Sequence, residues 1–217
     1  WYDTLPTTLD YSICDLEVDC TGTGTDSIGF SNCTNLTNCK GTGIGAWGQG
    51  FFNCTNLTNC IGTGTGTNGY GFRNCTKLTN CTGTGKGTNG YGFYNCTNLT
   101  NCTGTGTGTS YGYGFYNCTN LTNCTGTGTG TGYGYGFYKC TNLTNCTGTG
   151  TGDANGIGFY NCTNLANCTG TGTGTYGYGF YSIITASNCR DGGVSSTTAM
   201  WGGDNYNIDI ETCRKTP

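Results

Sequence analysis

Eighteen cysteines and sixteen N-x-T sequons in 217 residues are the groups of this chain whose spacing is regular enough to do chemistry. The cysteines form eight C-x5-C pairs, Cys14/Cys20, Cys33/Cys39, Cys54/Cys60, Cys75/Cys81, Cys96/Cys102, Cys118/Cys124, Cys140/Cys146 and Cys162/Cys168, with Cys189 and Cys213 beyond them. Thiols at this density either hold metal, attack a substrate or cross-link. The first use fails because the chain has no His, spaces its cysteines too widely for a zinc ligand pair and lacks an Asp-rich calcium loop. The second needs a neighbouring base. The eleven carboxylates gather toward the termini, where Asp15, Glu17, Asp19, Asp204, Asp209 and Glu211 read as solvated cap residues. No catalytic, cofactor or metal residue is assigned, and the chain is not expected to be an enzyme. Residues 64–69 and 85–90 match the letters of a phosphate loop, but alternating Gly produces such matches by chance, with no helix to follow.

Cross-linking remains, and it places the chain in an oxidising compartment, outside the cell or on its surface; the alternative is a reduced, thiol-rich cytosolic protein. Two pairings are open. Bonds within a coil, such as Cys96 to Cys102 with Cys189 to Cys213 closing the C-terminal segment, require N-C-T-N-L-T-N-C to fold back on itself; these are favoured. Bonds between coils, such as Cys102 to Cys118, use the spacing of about 4.8 Å between stacked strands. The start at Trp1, without Met, fits a precursor whose targeting segment has been removed. The sequons add candidate glycosylation sites at Asn95, Asn98, Asn101, Asn117, Asn120 and Asn123, and exposed Thr105, Thr107, Thr127 and Thr129 could carry O-linked sugars.

The element that positions these groups is a repeat. From Cys33 onward the first cysteine of each pair recurs after 21, 21, 21, 22, 22 and 22 residues. A fixed period of this size marks a solenoid whose units bury their apolar faces by stacking. Gly makes up 43 residues and runs of T-G-T-G-T exclude helical repeats. Alternation in T-G-T-G-T and Y-G-Y-G-F points to extended segments with one bulky and one Gly face. The sequence therefore predicts an all-β solenoid of about eight coils, stapled by disulfides, over residues 14–181, flanked by assembly or capping segments at 1–13 and 182–217. Equivalent residues should stack: Tyr113, Tyr135 and Tyr178 in one aromatic ladder, Phe93, Phe115, Phe137, Phe159 and Phe180 in another, with Asn and Thr ladders beside them.

Within each unit the frame F-Y-N-C-T-N-L-T-N-C resembles the leucine-rich repeats of BspA-like surface proteins, whose units run A-F-x-x-C-x-x-L-x-x-I-x-I. Phe115, Cys118 and Leu121 match the Phe, Cys and Leu of that pattern, as do Phe51, Cys54 and Leu57; Cys124 and Gly126 stand where the pattern has Ile. The resemblance covers roughly residues 28–181. It implies a leucine-rich-repeat-like, right-handed coil with a short strand per turn, and an extracellular surface or adhesion role.

Only 9% of residues are charged and the net charge is −3, so the basic excess that phosphate backbones require is missing and no nucleic-acid partner is expected. No run of 18 apolar residues exists to span a membrane as a helix. The leading expectation is a structural subunit of an extracellular or cell-surface filament, built by head-to-tail stacking of solenoids. Its partner is then the chain itself, with Trp1, Tyr2, Leu5, Leu9, Trp201, Ile208 and Ile210 as the assembly residues. The alternative is a monomeric surface adhesin that binds glycans or host and matrix molecules. A third reading is ice binding, because the Thr-x-Thr rows resemble the faces of disulfide-rich insect antifreeze proteins, although Ile44, Lys86 and Asp153 interrupt them.

Overall fold

The computed structural model describes residues 27–190 in full and, as backbone alone, Asp19–Thr23, Asp191, Ala199–Gly202 and Arg214–Lys215. The described residues contain strands and no helix. Each coil begins at a corner segment of which residues 53–60 are typical. Asn53, Asn56 and Asn59 take φ of 53°, 55° and 53°, the left-handed region that Asn tolerates better than other side chains. A left-handed residue at every third position resets the alternation of a strand, so every third side chain points inward. Cys54, Leu57 and Cys60 accordingly have at most 1% of their surface exposed. The short strands between the corners, from Thr55–Thr58 to Ala186–Ser187, stack as a parallel seven-stranded sheet, with Leu57 beside Leu78, Leu78 beside Leu99 and Leu99 beside Leu121.

The remainder of a coil is a flattened pair of limbs, a threonine limb such as Thr125–Gly130 and a tyrosine limb such as Tyr133–Tyr138. These join a parallel sixteen-stranded sheet in which Thr103 faces Thr125, Tyr113 faces Tyr135 and Phe115 faces Phe137. The change from 21-residue to 22-residue coils is absorbed at the limb tip, where the register shifts between Gly108 and Tyr111. No side chain separates the limbs. A Cβ on Gly126 would lie 2.5 Å from the carbonyl oxygen of Gly136, closer than any real Cβ contact, so only Gly lets the two backbones meet.

At the wide end of the coil Phe, Cys, Leu and Cys fill the interior. Phe30, Phe51, Phe72, Phe93, Phe115, Phe137, Phe159 and Phe180 stack in one column with centroids 4.7 to 5.1 Å apart and planes within 8° of parallel. The expected phenylalanine ladder is therefore present, and it is the axis of the core.

No disulfide joins the described cysteines. Cys54, Cys75, Cys96, Cys118, Cys140 and Cys162 carry free thiols in one column, and Cys60, Cys81, Cys102, Cys124, Cys146 and Cys168 carry free thiols in a second. Cys33 begins the first column, while Cys39 and Cys189 are the ends of the second. The favoured pairing of Cys96 with Cys102 does not arise because Leu99 and two left-handed corners, Asn98 and Asn101, stand between them. Cys96 instead meets Cys75 and Cys118, and Cys102 meets Cys81 and Cys124, which also excludes the rival Cys102 to Cys118 contact. Cys14, Cys213 and the side chain of Cys20 lie outside the described residues. The seven short strands do not map one to one onto the eight coils expected: the coil of Cys14/Cys20 is described only through the backbone of Asp19–Thr23, that of Cys33/Cys39 joins by the isolated bridges Thr34 to Thr55 and Thr37 to Thr58, and Ala186–Ser187 adds a strand beyond Cys168.

Candidate functional site

Among the described residues no group of three or more Cys, Asp or Glu could hold a metal ion. The described thiols, the most reactive groups by type, are shut into the core apart from half-buried Cys33. The backbone N–H of Cys75 donates to Cys96 Sγ at 3.4 Å, and that of Cys96 to Cys118 Sγ at 3.4 Å. Each thiol in turn donates to a carbonyl, as Cys118 Sγ does to Tyr116 O at 3.4 Å. Burial pushes the Cys75, Cys118 and Cys162 thiols well above the ordinary thiol range and suppresses the thiolate at these three, while at Cys96 and Cys140, between them in the column, burial is outweighed by hydrogen bonds from the adjoining cysteines, which shift the thiol downward.

Three surfaces remain, each a set of columns repeating at the coil spacing. The first is the asparagine edge. Asn117 Nδ2 donates to Asn95 Oδ1 at 2.9 Å, Asn120 to Asn98 at 2.9 Å, Asn123 to Asn101 at 3.2 Å and Asn101 to Asn80 at 3.2 Å. All six candidate N-glycosylation residues thus belong to amide ladders. Asn98, Asn101, Asn117, Asn120 and Asn123 are exposed and Asn95 is half-buried.

The second is the threonine face. Thr105 and Thr127 are half-buried and Thr107 and Thr129 exposed, in columns that run along the solenoid. Lys86 replaces Thr between Thr65 and Thr107, so one column is broken by a charge.

The third surface is aromatic. Tyr70, Tyr91, Tyr113 and Tyr135 stack at 4.8, 5.0 and 5.3 Å. Tyr94, Tyr116 and Tyr138 stand beside them, 4.9 and 5.1 Å apart, and meet the first column edge to face, as Tyr113 meets Tyr116 at 5.2 Å. Arg73 and Lys139 place their cations 5.2 Å over Tyr70 and 5.3 Å over Tyr138. The expected ladder of Tyr113, Tyr135 and Tyr178 is interrupted, because Ile157 pairs with Tyr135 on one side and Tyr178 on the other. The outer column breaks at the same coil: Tyr111 and Tyr133 stack at 5.0 Å, and the next position is Asn155. The result is a cavity of about 470 Å³ lined by Tyr133, Ala154, Asn155, Ile157, Tyr160, Tyr176, Tyr178 and Tyr181. Sequence reasoning missed it, though the signal was present: N-G-I at residues 155–157 stands where neighbouring coils read Y-G-Y.

The assembly residues fall elsewhere. Trp1, Tyr2, Leu5, Leu9, Ile208 and Ile210 lie outside the described residues, and Trp201 is described only as backbone paired with Phe180. No helix is long and apolar enough to cross a membrane among the described residues.

No curated protein and no solved structure matches the chain. Six copies of the BspA type leucine rich repeat region match residues 12–84 and 65–176. The matched span agrees with the stacked Phe, Cys and Leu columns, and on both grounds the chain belongs to the BspA-type leucine-rich repeat family.

Proposed function

We propose that the chain is a rigid, surface-displayed adhesion repeat that binds neutral saccharides or matrix molecules outside the cell. The observation that carries this reading is the repetition of one uncharged contact surface, tyrosine beside threonine and asparagine, along a stack of in-register coils. A rod that offers the same weak contact many times gains avidity without a deep pocket. Membership of a surface-protein repeat family supports the location, and a surface poor in charge suits neutral polymers. The test is retention of the purified full chain on layers of mucin, β-glucan and intact cells. Saturable retention supports the reading. Absence of retention on every layer overturns it.

A second reading, the head-to-tail filament, has its own observation. Parallel pairing continues through the backbone of Ala199–Gly202 and Arg214–Lys215, and no helix lies across the stack among the described residues. A parallel edge left unpaired would be a template for another copy. Negative-stain imaging tests it: filaments that disappear on removal of residues 1–13 favour assembly, and dispersed rods under all conditions oppose it. Glycan attachment at the asparagine edge belongs to either reading, and each N-linked sugar would remove one amide donor from its ladder. The threonine face, with Lys86 in one column, gives less to an ice surface than an unbroken array would.

A further inference from the structure

The coil of Asn155 and Ile157 removes one tyrosine from each of two aromatic columns and leaves the rings on either side in place. In the outer column Tyr133 stacks on Tyr111 with one face, and Asn155 stands beside its other face. One coil further on is Tyr176, whose backbone N–H bonds to Ala154 O at 2.9 Å and so fixes it in register with Asn155. Tyr176 is 60% exposed, an unusual state for a large ring where the other described tyrosines pack against one another. The slot between Tyr133 and Tyr176 is two coil spacings deep, about 10 Å. Ile157 forms its floor, and Tyr160, Tyr178 and Tyr181 line its side. The Asn155 carboxamide makes no side-chain hydrogen bond among the described residues, unlike the corner asparagines, and faces the same cavity.

The dimensions select the occupant. A flat aromatic ring between two parallel rings needs about 7 to 8 Å, two carbon contacts of about 3.5 to 4.0 Å, and would be loose in this slot. A puckered saturated ring of the same width fills it. With the free face of Tyr133 on one side and Tyr176 bordering the other, the slot suits an occupant that is apolar on both faces, with polar groups around its rim for the Asn155 amide and the phenol hydroxyls. A pyranose with all substituents equatorial meets both conditions, since it turns C–H bonds to each face and hydroxyls outward. We propose that the Tyr133–Asn155–Tyr176 slot is a binding site for one β-gluco-configured pyranose, held in a tyrosine sandwich. This deepens the adhesion reading by naming the ligand class. An axial hydroxyl, as in a galactose, would point into one ring and is disfavoured.

The test is a calorimetric or intrinsic-fluorescence titration of the full chain with methyl β-D-glucopyranoside, cellobiose and methyl β-D-galactopyranoside. The expected result is saturable binding of both glucosides, with a dissociation constant near 1 mM for so small a ligand, roughly, and clearly weaker binding of the galactoside. Tyr176→Ala, at an exposed position, should weaken the glucosides about tenfold. Asn155→Tyr, which rebuilds the continuous column, should abolish binding. Equal binding of gluco and galacto sugars, glucoside affinity unchanged in both variants, or no glucoside binding at any attainable concentration would overturn the proposal. The two levels separate cleanly: retention on cell surfaces without glucoside binding removes the slot and leaves the adhesion reading. Glucoside binding without retention on any surface keeps the slot and removes that reading.

Discussion

The backbone N–H of Cys96 donates to the sulfur of Cys118, one coil away, at 3.4 Å. The Cys118 thiol donates onward to Tyr116 O, so cysteine here is a small core residue that also satisfies backbone groups left over at the corners. A cysteine in that role is sealed from solvent. Iodoacetamide should therefore label the native chain at half-buried Cys33 before Cys75 or Cys118, and should label both columns without prior reduction once guanidinium unfolds the chain. Peptide mapping by mass spectrometry reads both. Recovery of Cys96 linked to Cys102, or of columns that label only after reduction, would contradict the free-thiol core.

The left-handed corners make a prediction with an internal control. Asn120 sits at φ 59° and both donates to Asn98 and accepts from Asn142. Asn120→Ala should cost about 1 to 2 kcal/mol through the left-handed backbone, and Asn120→Gly less. Lys77 occupies the equivalent corner at φ 57° and interrupts the ladder between Asn56 and Asn98. Lys77→Asn should raise stability by roughly 0.5 to 1 kcal/mol by making the corner Asn again. Urea denaturation of the three variants is the measurement, and a destabilised Lys77→Asn would speak against the ladder.

Between the limbs the tolerance is smaller still. A Cβ at Gly126 meets the Gly136 carbonyl at 2.5 Å and the rings of Phe115 and Phe137 at 2.9 Å. Gly126→Ala should cost about 3 kcal/mol, the upper part of the overpacking range. Phe115→Ala, which empties one step of the fully buried ring column, should cost about 3 to 5 kcal/mol. Equal stability of Gly126→Ala and the parent would show that the limbs do not meet.

The pH response follows from the tyrosines. Burial raises the phenols of Tyr91, Tyr113 and Tyr135 above the ordinary value, with their tyrosine neighbours adding to the shift. The folded state thus holds these protons more tightly than the unfolded chain, whose tyrosines titrate near about pH 10. Their stabilisation is complete below that pH and is lost as pH rises above it. With no His in the chain, stability should be level between about pH 6 and 8; above about pH 8.5 the unfolded chain's cysteines ionise while Cys75, Cys118 and Cys162 hold their protons, so stability begins to fall there and falls further above about pH 10. Thermal unfolding followed across that range, with phenolate absorbance read alongside, checks the order of events; ionisation of the full complement of tyrosines at about pH 10 in a folded chain would contradict it.

The solenoid was legible in the sequence because a strict period leaves stacking as the way to bury Phe115, Cys118 and Leu121. Two things were not legible. Cysteine density suggested staples, since the sequence does not show that Asn98 and Asn101 turn the chain left-handed and send Cys96 and Cys102 to different columns. The cavity at residues 155–157 was hidden, since a missing ring becomes a cavity only when the coils above and below hold Tyr133 and Tyr176 in register. Both misses arise between coils, where one copy of the motif carries no information.

The central claim, that this stack of neutral tyrosine and threonine columns serves as a surface-binding rod, is tested most directly by interferometry of the full chain over immobilised β-glucan, mucin and intact cells. The account predicts saturable retention on at least one layer, reduced when Tyr94 and Tyr116 are both changed to Ser on an otherwise folded chain. Retention on none of the layers, or retention that ignores the loss of both tyrosines and is abolished by moderate salt, would contradict it.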